Sequence, residues 1–298
     1  MGTLICPICH HREYRTVGIA TDHLVSGRQF PLVRCSHCGL VITQNPPQGE
    51  ALGAYYKSID YISHSNIDKG FFNQLYHVVR RCMLRKKRRW LQAYCRGGNG
   101  SRLLDIGCGT GYFAHYMQQR GYEVACVEQD ADARAFALRK FGLNPLADLL
   151  DAPFPESHFH AITLWHVLEH IESLEEHLGH ISRLLKSDGV LVIAVPNPTS
   201  YDACYFGGDW AAYDVPRHLW HFTPDSLTFL LERYGFVLQR VHPMYFDAYY
   251  IALMSQKQLG RKGGNAFFRA FLIGLGGTIR TLRTARAASS LVYIFQKR

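Results

Sequence analysis

The sequence predicts an α/β chain in which a doubly wound, Rossmann-like sheet follows a small cysteine-bound module. Two features predict it. Four of the nine cysteines form two Cys-x-x-Cys pairs within the first 40 residues. Beyond residue 100, short apolar strands alternate with helical stretches, and the first strand runs into a glycine-rich turn.

In chain order, "CPIC" (Cys6, Cys9) and "CSHCGL" (Cys35, Cys38) come first. Two residues between cysteines let one tight turn present both thiolates to the same ion, and two such turns complete the four-thiolate shell of structural zinc. "FPLVRC" and "GLVIT" read as strands feeding the second turn. The odd cysteine count and the absence of an apolar leader after "MGTLICPICHH" predict a reduced, cytoplasmic protein with a bound metal rather than a disulfide framework. "NPPQGE" closes the module, giving a zinc ribbon over residues 1–47 and a helical linker or cap over 48–99, with helix from about Tyr55 to Tyr94. The third unit, 100–298, would be the catalytic domain.

The net charge of +9 is unevenly placed. Ten Lys/Arg and no acid lie between Asp68 and Asp105, nine and no acid lie from Ala248 to the end, and elsewhere 14 basic residues face 24 acids. The basicity therefore belongs to two segments, for which the sequence offers RNA, an anionic small molecule or a lipid surface as partners. Within an insertion at about 255–287, "RKGGNAFFRAFLIGLGGTIRTLRTAR" reads as a broken amphipathic helix, suited to covering the acceptor site, to a dimer contact or to a membrane surface. Over 265–286, Arg269, Arg280 and Arg283 fall on one face and Phe267, Phe271, Leu275 and Leu282 on the other, a pattern suited to peripheral contact with the inner membrane surface.

"SRLLDIGCGTGYFAHYMQQRGYEVACVEQD" is the most informative segment. It reads as strand, turn, helix, strand. Gly107, Gly109 and Gly111 let backbone amides approach a ligand closely, and Glu128 stands where a ribose-binding acid belongs. Asp105 decides between cofactors. A carboxylate at the mouth of the site repels a pyrophosphate but attracts a ligand bearing an amino group and a sulfonium, which favours S-adenosylmethionine over a dinucleotide.

"LLDIGCGTG", "ADLLDAPFPESHFHAITLWHVLEHI" and "LLKSDGVLVIAVPN" together resemble class I methyltransferases that use S-adenosylmethionine, over roughly residues 100–245. The resemblance implies seven strands, with "SSLVYIFQK" as the antiparallel last one. It also places Asp105, Gly107 and Gly109 at the methionine end of the cofactor. Glu128 would hold the ribose, Asp148 and Leu149 would flank the adenine, and His166 would lie near the methyl group. Cys108, Gly111 and Trp165 would also bind the cofactor.

"HVLEH" (His166, Glu169, His170) also matches an inverted zinc-peptidase pattern. That minor alternative, a zinc hydrolase, needs both histidines on one helix, whereas "HAITLW" reads as a strand leading into the motif. Between strand five and the helix of "TPDSLTFLLERYGF" runs a long loop ending "DVPRHLWHF". Thr223 and Pro224 suit the start of that helix. Ribbon and core together resemble deoxysugar C-methyltransferases, which carry a Glu–His pair where this chain has Arg217–His218. His218 is thus the first candidate for the base that deprotonates an acceptor, with His166, His221, Asp214 and Tyr213 behind it. Arg217 would bind an anionic acceptor such as a nucleotide-linked sugar or another cell-envelope precursor. The alternative acceptor is RNA, tracked by the basic residues 80–89.

Overall fold

The computed structural model describes residues 4–56, 71–95 and 100–298, and side chains of the long helix only from residue 78. Part of the expected linker helix, residues 57–70, therefore lies outside the described residues.

Two sheets organise the chain. The first contains β1 (Tyr14–Thr21), β2 (Gln29–Cys35), β3 (Val41–Thr43) and a two-residue strand β8 (Trp220–His221). All its pairings are antiparallel. The second contains β4 (Arg102–Ile106), β5 (Glu123–Val127), β6 (Phe159–Trp165), β7 (Leu185–Pro196), β9 (Phe236–Pro243) and β10 (Ser290–Lys297). Its order is β5-β4-β6-β7-β10-β9, with β10 antiparallel to both neighbours and the other pairings parallel. This is the expected doubly wound sheet with its last strand reversed. Of the seven strands expected, six are regular. The seventh position is reduced to one parallel bridge, Val127 to Leu146, beside Pro145, which has no N–H to offer a ladder.

The long helix α1 (Phe71–Tyr94) precedes the sheet. Helices α2 (Tyr112–Gln118), α3 (Ala131–Phe141) and α4 (Leu174–Leu184) fill the crossovers. After β7 come α5 (Tyr201–Phe206) and then α6 (Pro224–Glu232), which has the expected start: Thr223 and Ser226 close a reciprocal capping box and Pro224 occupies the first turn.

The ribbon packs directly against the larger sheet and its helices. Cys6, Ile8, Cys35 and Leu40 share one apolar cluster with Phe222, Leu227 and Leu230 of the catalytic domain, and Arg233 donates to the Ile8 carbonyl. The stretch 261–286 is not a broken helix: its glycines lie within one continuous helix. Two helices, α7 (Tyr245–Gln258) and α8 (Gly263–Arg283), connect the adjacent strands β9 and β10. The glycines that would weaken α8 are where it packs most closely: a Cβ on Gly274 would lie 2.5 Å from Tyr249, and one on Gly276 2.8 Å from Tyr201.

Candidate active site

The strand order reverses between β4 and β6, and ligands of doubly wound sheets bind outside the carboxyl ends of strands at such a point. Seven of the expected cofactor residues, Asp105, Gly107, Cys108, Gly109, Gly111, Glu128 and Trp165, gather at these ends. Gly107, Gly109 and Gly111 all adopt positive φ, which an L side chain strains to reach. A Cβ on Gly107 would meet Val167 at 2.3 Å and one on Gly111 would meet Leu143 at 2.7 Å, whereas nothing among the described residues lies within 4 Å of one on Gly109. The loop is thus closed behind and open in front. Its amides at Gly107 and Cys108 donate to the Val127 carbonyl, and Gly109 donates to the Glu128 carboxylate at 2.7 Å. Leu149 is buried, while Asp148 accepts from the Leu150 amide.

Asp105 is 1% exposed and accepts a 2.6 Å hydrogen bond from Thr163. Burial pushes its carboxyl up to about 7, with Thr163 and Lys87 pulling the other way. Lys87 is the unexpected member. Its ammonium lies 4.1 Å from the centre of the Trp165 ring, whose buried Nε1 has no hydrogen-bond partner. Burial lowers the Lys87 pKa to about 8 against the pull of Asp105 and Asp247. The sequence held a signal for this: Lys87 precedes Trp90 by three residues and Leu91 by four, both buried, so helical spacing turns it inward.

A second set of charges continues from His166. This residue takes φ 59° just beyond β6, with Nδ1 3.4 Å from Glu169 and Nε2 3.6 Å from Asp247. Burial disfavours its charge, but Asp247 and Glu169 outweigh it and hold its pKa at about 9. Asp247, not singled out by sequence, is the last acid of the chain. Glu169 is 1% exposed and neither of its oxygens accepts a hydrogen bond; burial opposes its ionisation, yet His166 keeps its pKa below the usual value. The zinc-peptidase pattern does not form. Leu168–His170 is a single 3-10 turn, and the residues whose ligand atoms lie within 4.8 Å of one another are Glu169, His170 and His218, without His166.

His218 is buried, with its ring 4.5 Å from that of His170. Its Nδ1 lies 2.9 Å from the Ala212 carbonyl and its Nε2 3.9 Å from Asp214. The donor at Nδ1 is therefore fixed by that carbonyl, and Nε2 is turned towards carboxylates. The other candidates take supporting positions. Asp214, at φ 38°, is held below its usual pKa because Arg217 outweighs the effect of burial. His221 sits in β8 with Nε2 3.0 Å from Thr43 of the ribbon, and burial lowers its pKa to about 3. Tyr213 packs edge-on against His221, and burial raises its phenol to about 12.

Arg217 requires a correction. It is 1% exposed; its guanidinium binds Asp214 at 2.6 Å, Asp22 of the ribbon at 3.4 Å and the Tyr55 carbonyl at 3.3 Å. These partners make it a tie between ribbon and loop rather than an anion clamp. Replacing it with methionine is expected to cost about 3 kcal/mol by urea unfolding, because two carboxylates lose their counter-charge in the interior. An anion-binding role would instead raise KM and leave stability unchanged.

The four cysteines of the ribbon meet as expected. Cys6 and Cys38 Sγ are 3.5 Å apart, Cys9 and Cys35 Sγ 3.4 Å, and all four lie within 4.8 Å of one another. Tetrahedral zinc with bonds of about 2.3 Å spaces its sulfurs by roughly 3.8 Å, so the set fits that ion. Gly39 at φ 77° makes the second turn, and His10 at φ 59° ends the first.

A reversed last strand, an acid within β4, a glycine loop after it and an acid after β5 define a class I, Rossmann-like methyltransferase domain, and the open cradle beside a buried carboxylate fits S-adenosylmethionine. Residues 77–241 match the methyltransferase domain family, and the chain belongs to it. It is 31% identical over 145 residues to a ubiquinone biosynthesis O-methyltransferase of Alkalilimnicola ehrlichii, covering 43% of this chain and 57% of that protein. A protein of the same name from Cereibacter sphaeroides is 31% identical over 152 residues, 46% of this chain and 60% of that one. The chain thus spans less than two thirds of the curated relatives it matches. In fold it is similar to a SAM-dependent methyltransferase from Archaeoglobus fulgidus (22% identity, 76% and 100% of the two chains, TM-score 0.50). It is likewise similar to the 1,6-didemethyltoxoflavin-N1-methyltransferase of Burkholderia thailandensis (16% identity, 93% and 99%, TM-score 0.51).

Proposed function

We propose that the protein transfers a methyl group from S-adenosylmethionine to a hydroxyl of a small organic acceptor, with His218 as the base. The observation that carries this reading is the pairing of His218 with two carboxylates: buried Glu169 stands within 4.8 Å of it and half-buried Asp214 at 3.9 Å. Sequence alone left this histidine beside an arginine, with Asp214 four residues before it. The fold adds Glu169 from another segment, the turn after β6.

When bound, S-adenosylmethionine supplies an already activated methyl group. Asp105 opposes the positive charge of such a ligand, Glu128 offers acceptors for hydroxyls, and Gly107 to Gly111 offer backbone close to it. His218 Nε2 takes the acceptor's proton, with Glu169 and Asp214 close to the ring. The relatives' printed name, an O-methyltransferase of ubiquinone biosynthesis, supports a hydroxyl-bearing, quinone-like precursor as acceptor. A nucleotide-linked sugar, as in the deoxysugar enzymes, has less support because Arg217 is committed to Asp214 and Asp22. The RNA reading is weakened likewise, since Lys86 and Lys87 turn inward onto the Trp90 and Trp165 rings. Incubating the protein with methyl-labelled S-adenosylmethionine and a fractionated cell extract tests this. Label is expected in the solvent-extractable phenol and quinone pool; label in RNA or in nucleotide sugars would replace this reading.

The ribbon is proposed to hold one structural zinc through Cys6, Cys9, Cys35 and Cys38. Metal analysis is expected to give one zinc per chain, and Cys38→Ser to lower Tm by on the order of 5 °C with loss of that zinc. A ratio of two would place a second ion at Glu169, His170 and His218 and would remove His218 as the base.

A further inference from the structure

Helix α8 presents three longitudinal faces. At about 100° per residue, Phe267, Phe268, Phe271, Leu272, Ile279 and Leu282 fall within an arc of roughly 140°. All six are exposed, Phe267 by 57%, Phe268 by 60% and Leu282 by 73%. Ala266, Ala270, Ile273, Gly274 and Gly277 occupy a separate arc and are buried. Arg269, Arg280 and Arg283 lie between these two faces on one side, and all three are exposed. A surface helix needs one apolar face to bury against its own protein. This one has that face and a second, larger one turned outward.

We propose that the outward face of α8 seats the protein on an anionic lipid surface. Charge selects this occupant. Helix α8 carries three arginines and no acid, and no acid follows anywhere after Asp247. Two copies joined through this face about a two-fold axis would bring like charges together, whereas anionic headgroups would meet the arginines while Phe and Leu enter the acyl boundary. The contact is peripheral, since no helix among the described residues is long and apolar enough to cross a membrane. Its placement suits the active site. The other helix of the pair, α7, sets exposed Phe246 beside Asp247, whose carboxylate faces His166, and Tyr249 of α7 stacks near Phe271 of α8 with ring centres 5.8 Å apart. An acceptor held in the lipid would reach the site from this side.

Co-sedimentation of the full chain with vesicles of phosphatidylcholine, alone or with one third phosphatidylglycerol, tests the proposal without reference to the reaction. The wild type is expected to pellet with the anionic vesicles at low salt and to be released at high salt. Replacing Arg269 and Arg283 with glutamine should lower partitioning about thirtyfold, near one factor of five per charge. Phe268→Glu with Leu272→Glu should abolish it while Tm stays unchanged, because both side chains are exposed. The proposal is overturned if the wild type stays in the supernatant, if neutral vesicles bind it equally well, or if the Phe268/Leu272 variant still pellets. A dimer that this variant dissociates, with no vesicle binding, overturns it too and assigns the face to a second copy.

Discussion

Asp105→Ala is expected to weaken S-adenosylmethionine binding at least a hundredfold, measured by calorimetry, which corresponds to about 2.8 kcal/mol. A fully buried carboxylate is costly to ionise, and a cationic ligand offsets that cost where water cannot. Thr163→Ala keeps the carboxylate but removes its hydrogen bond, so it should lose only several-fold. Binding should also depend on pH in a defined direction. Burial pushes the Asp105 carboxyl up to about 7, with Lys87 and Glu128 the charged groups facing it. Below that value the protonated acid offers no charge to a cation; above it the carboxylate does. Affinity should therefore rise about tenfold per pH unit below 7 and more gently above it. Lys87, lowered to about 8 by burial, acts in the same direction, since its competing positive charge is lost as pH rises. Affinity that is flat from pH 6 to 8 would contradict this account.

His218→Ala is the second large effect. Turnover should fall on the order of a thousandfold with cofactor affinity unchanged, the usual scale for removing a positioned base. Glu169→Gln should lower kcat by about tenfold and leave KM for the acceptor nearly unchanged, because it acts through His218 rather than on the acceptor. Since His218 is buried, His218→Asn serves as the control that keeps volume and polarity; it should be as inactive as the alanine variant and melt near the wild type. Near-normal turnover in either histidine variant would remove the base assignment.

The elements were legible where one segment carries its own signal. The strand, glycine turn, helix and strand from Arg102 to Val127 follow from local apolar runs and from glycines, which reach positive φ without a side-chain clash. The capped start at Thr223 and the two cysteine turns follow from chemistry within a few residues. What sequence could not show is which distant segments meet. Arg217 looked like an anion receptor until Asp22, nearly two hundred residues away, proved to be its partner. His218 has Asp214 in its own loop and gains Glu169 from the turn after β6. The glycines of α8 looked like helix breakers because propensity counts only the cost to an isolated helix; against Tyr249 and Tyr201 they allow contact that no other residue would permit. Lys87 was read as part of a basic surface run, although its spacing from Trp90 pointed inward.

The pairing of β3 with β8 also bears on how this chain is made. Val41 and Ile42 pair with His221 and Trp220, about 180 residues later. At roughly 5–20 residues per second, a nascent ribbon waits on the order of 10–35 s before its last strand is synthesised. Throughout that interval β3, all of whose residues are buried in the finished protein, presents an open, apolar edge. Metal captured by the cysteines on either side of the β2–β3 turn would hold the ribbon's shape during the delay without covering that edge. A fragment ending before residue 220 should therefore associate with itself even when fully loaded with metal, so the ribbon is poorly suited to an independent life as a soluble module.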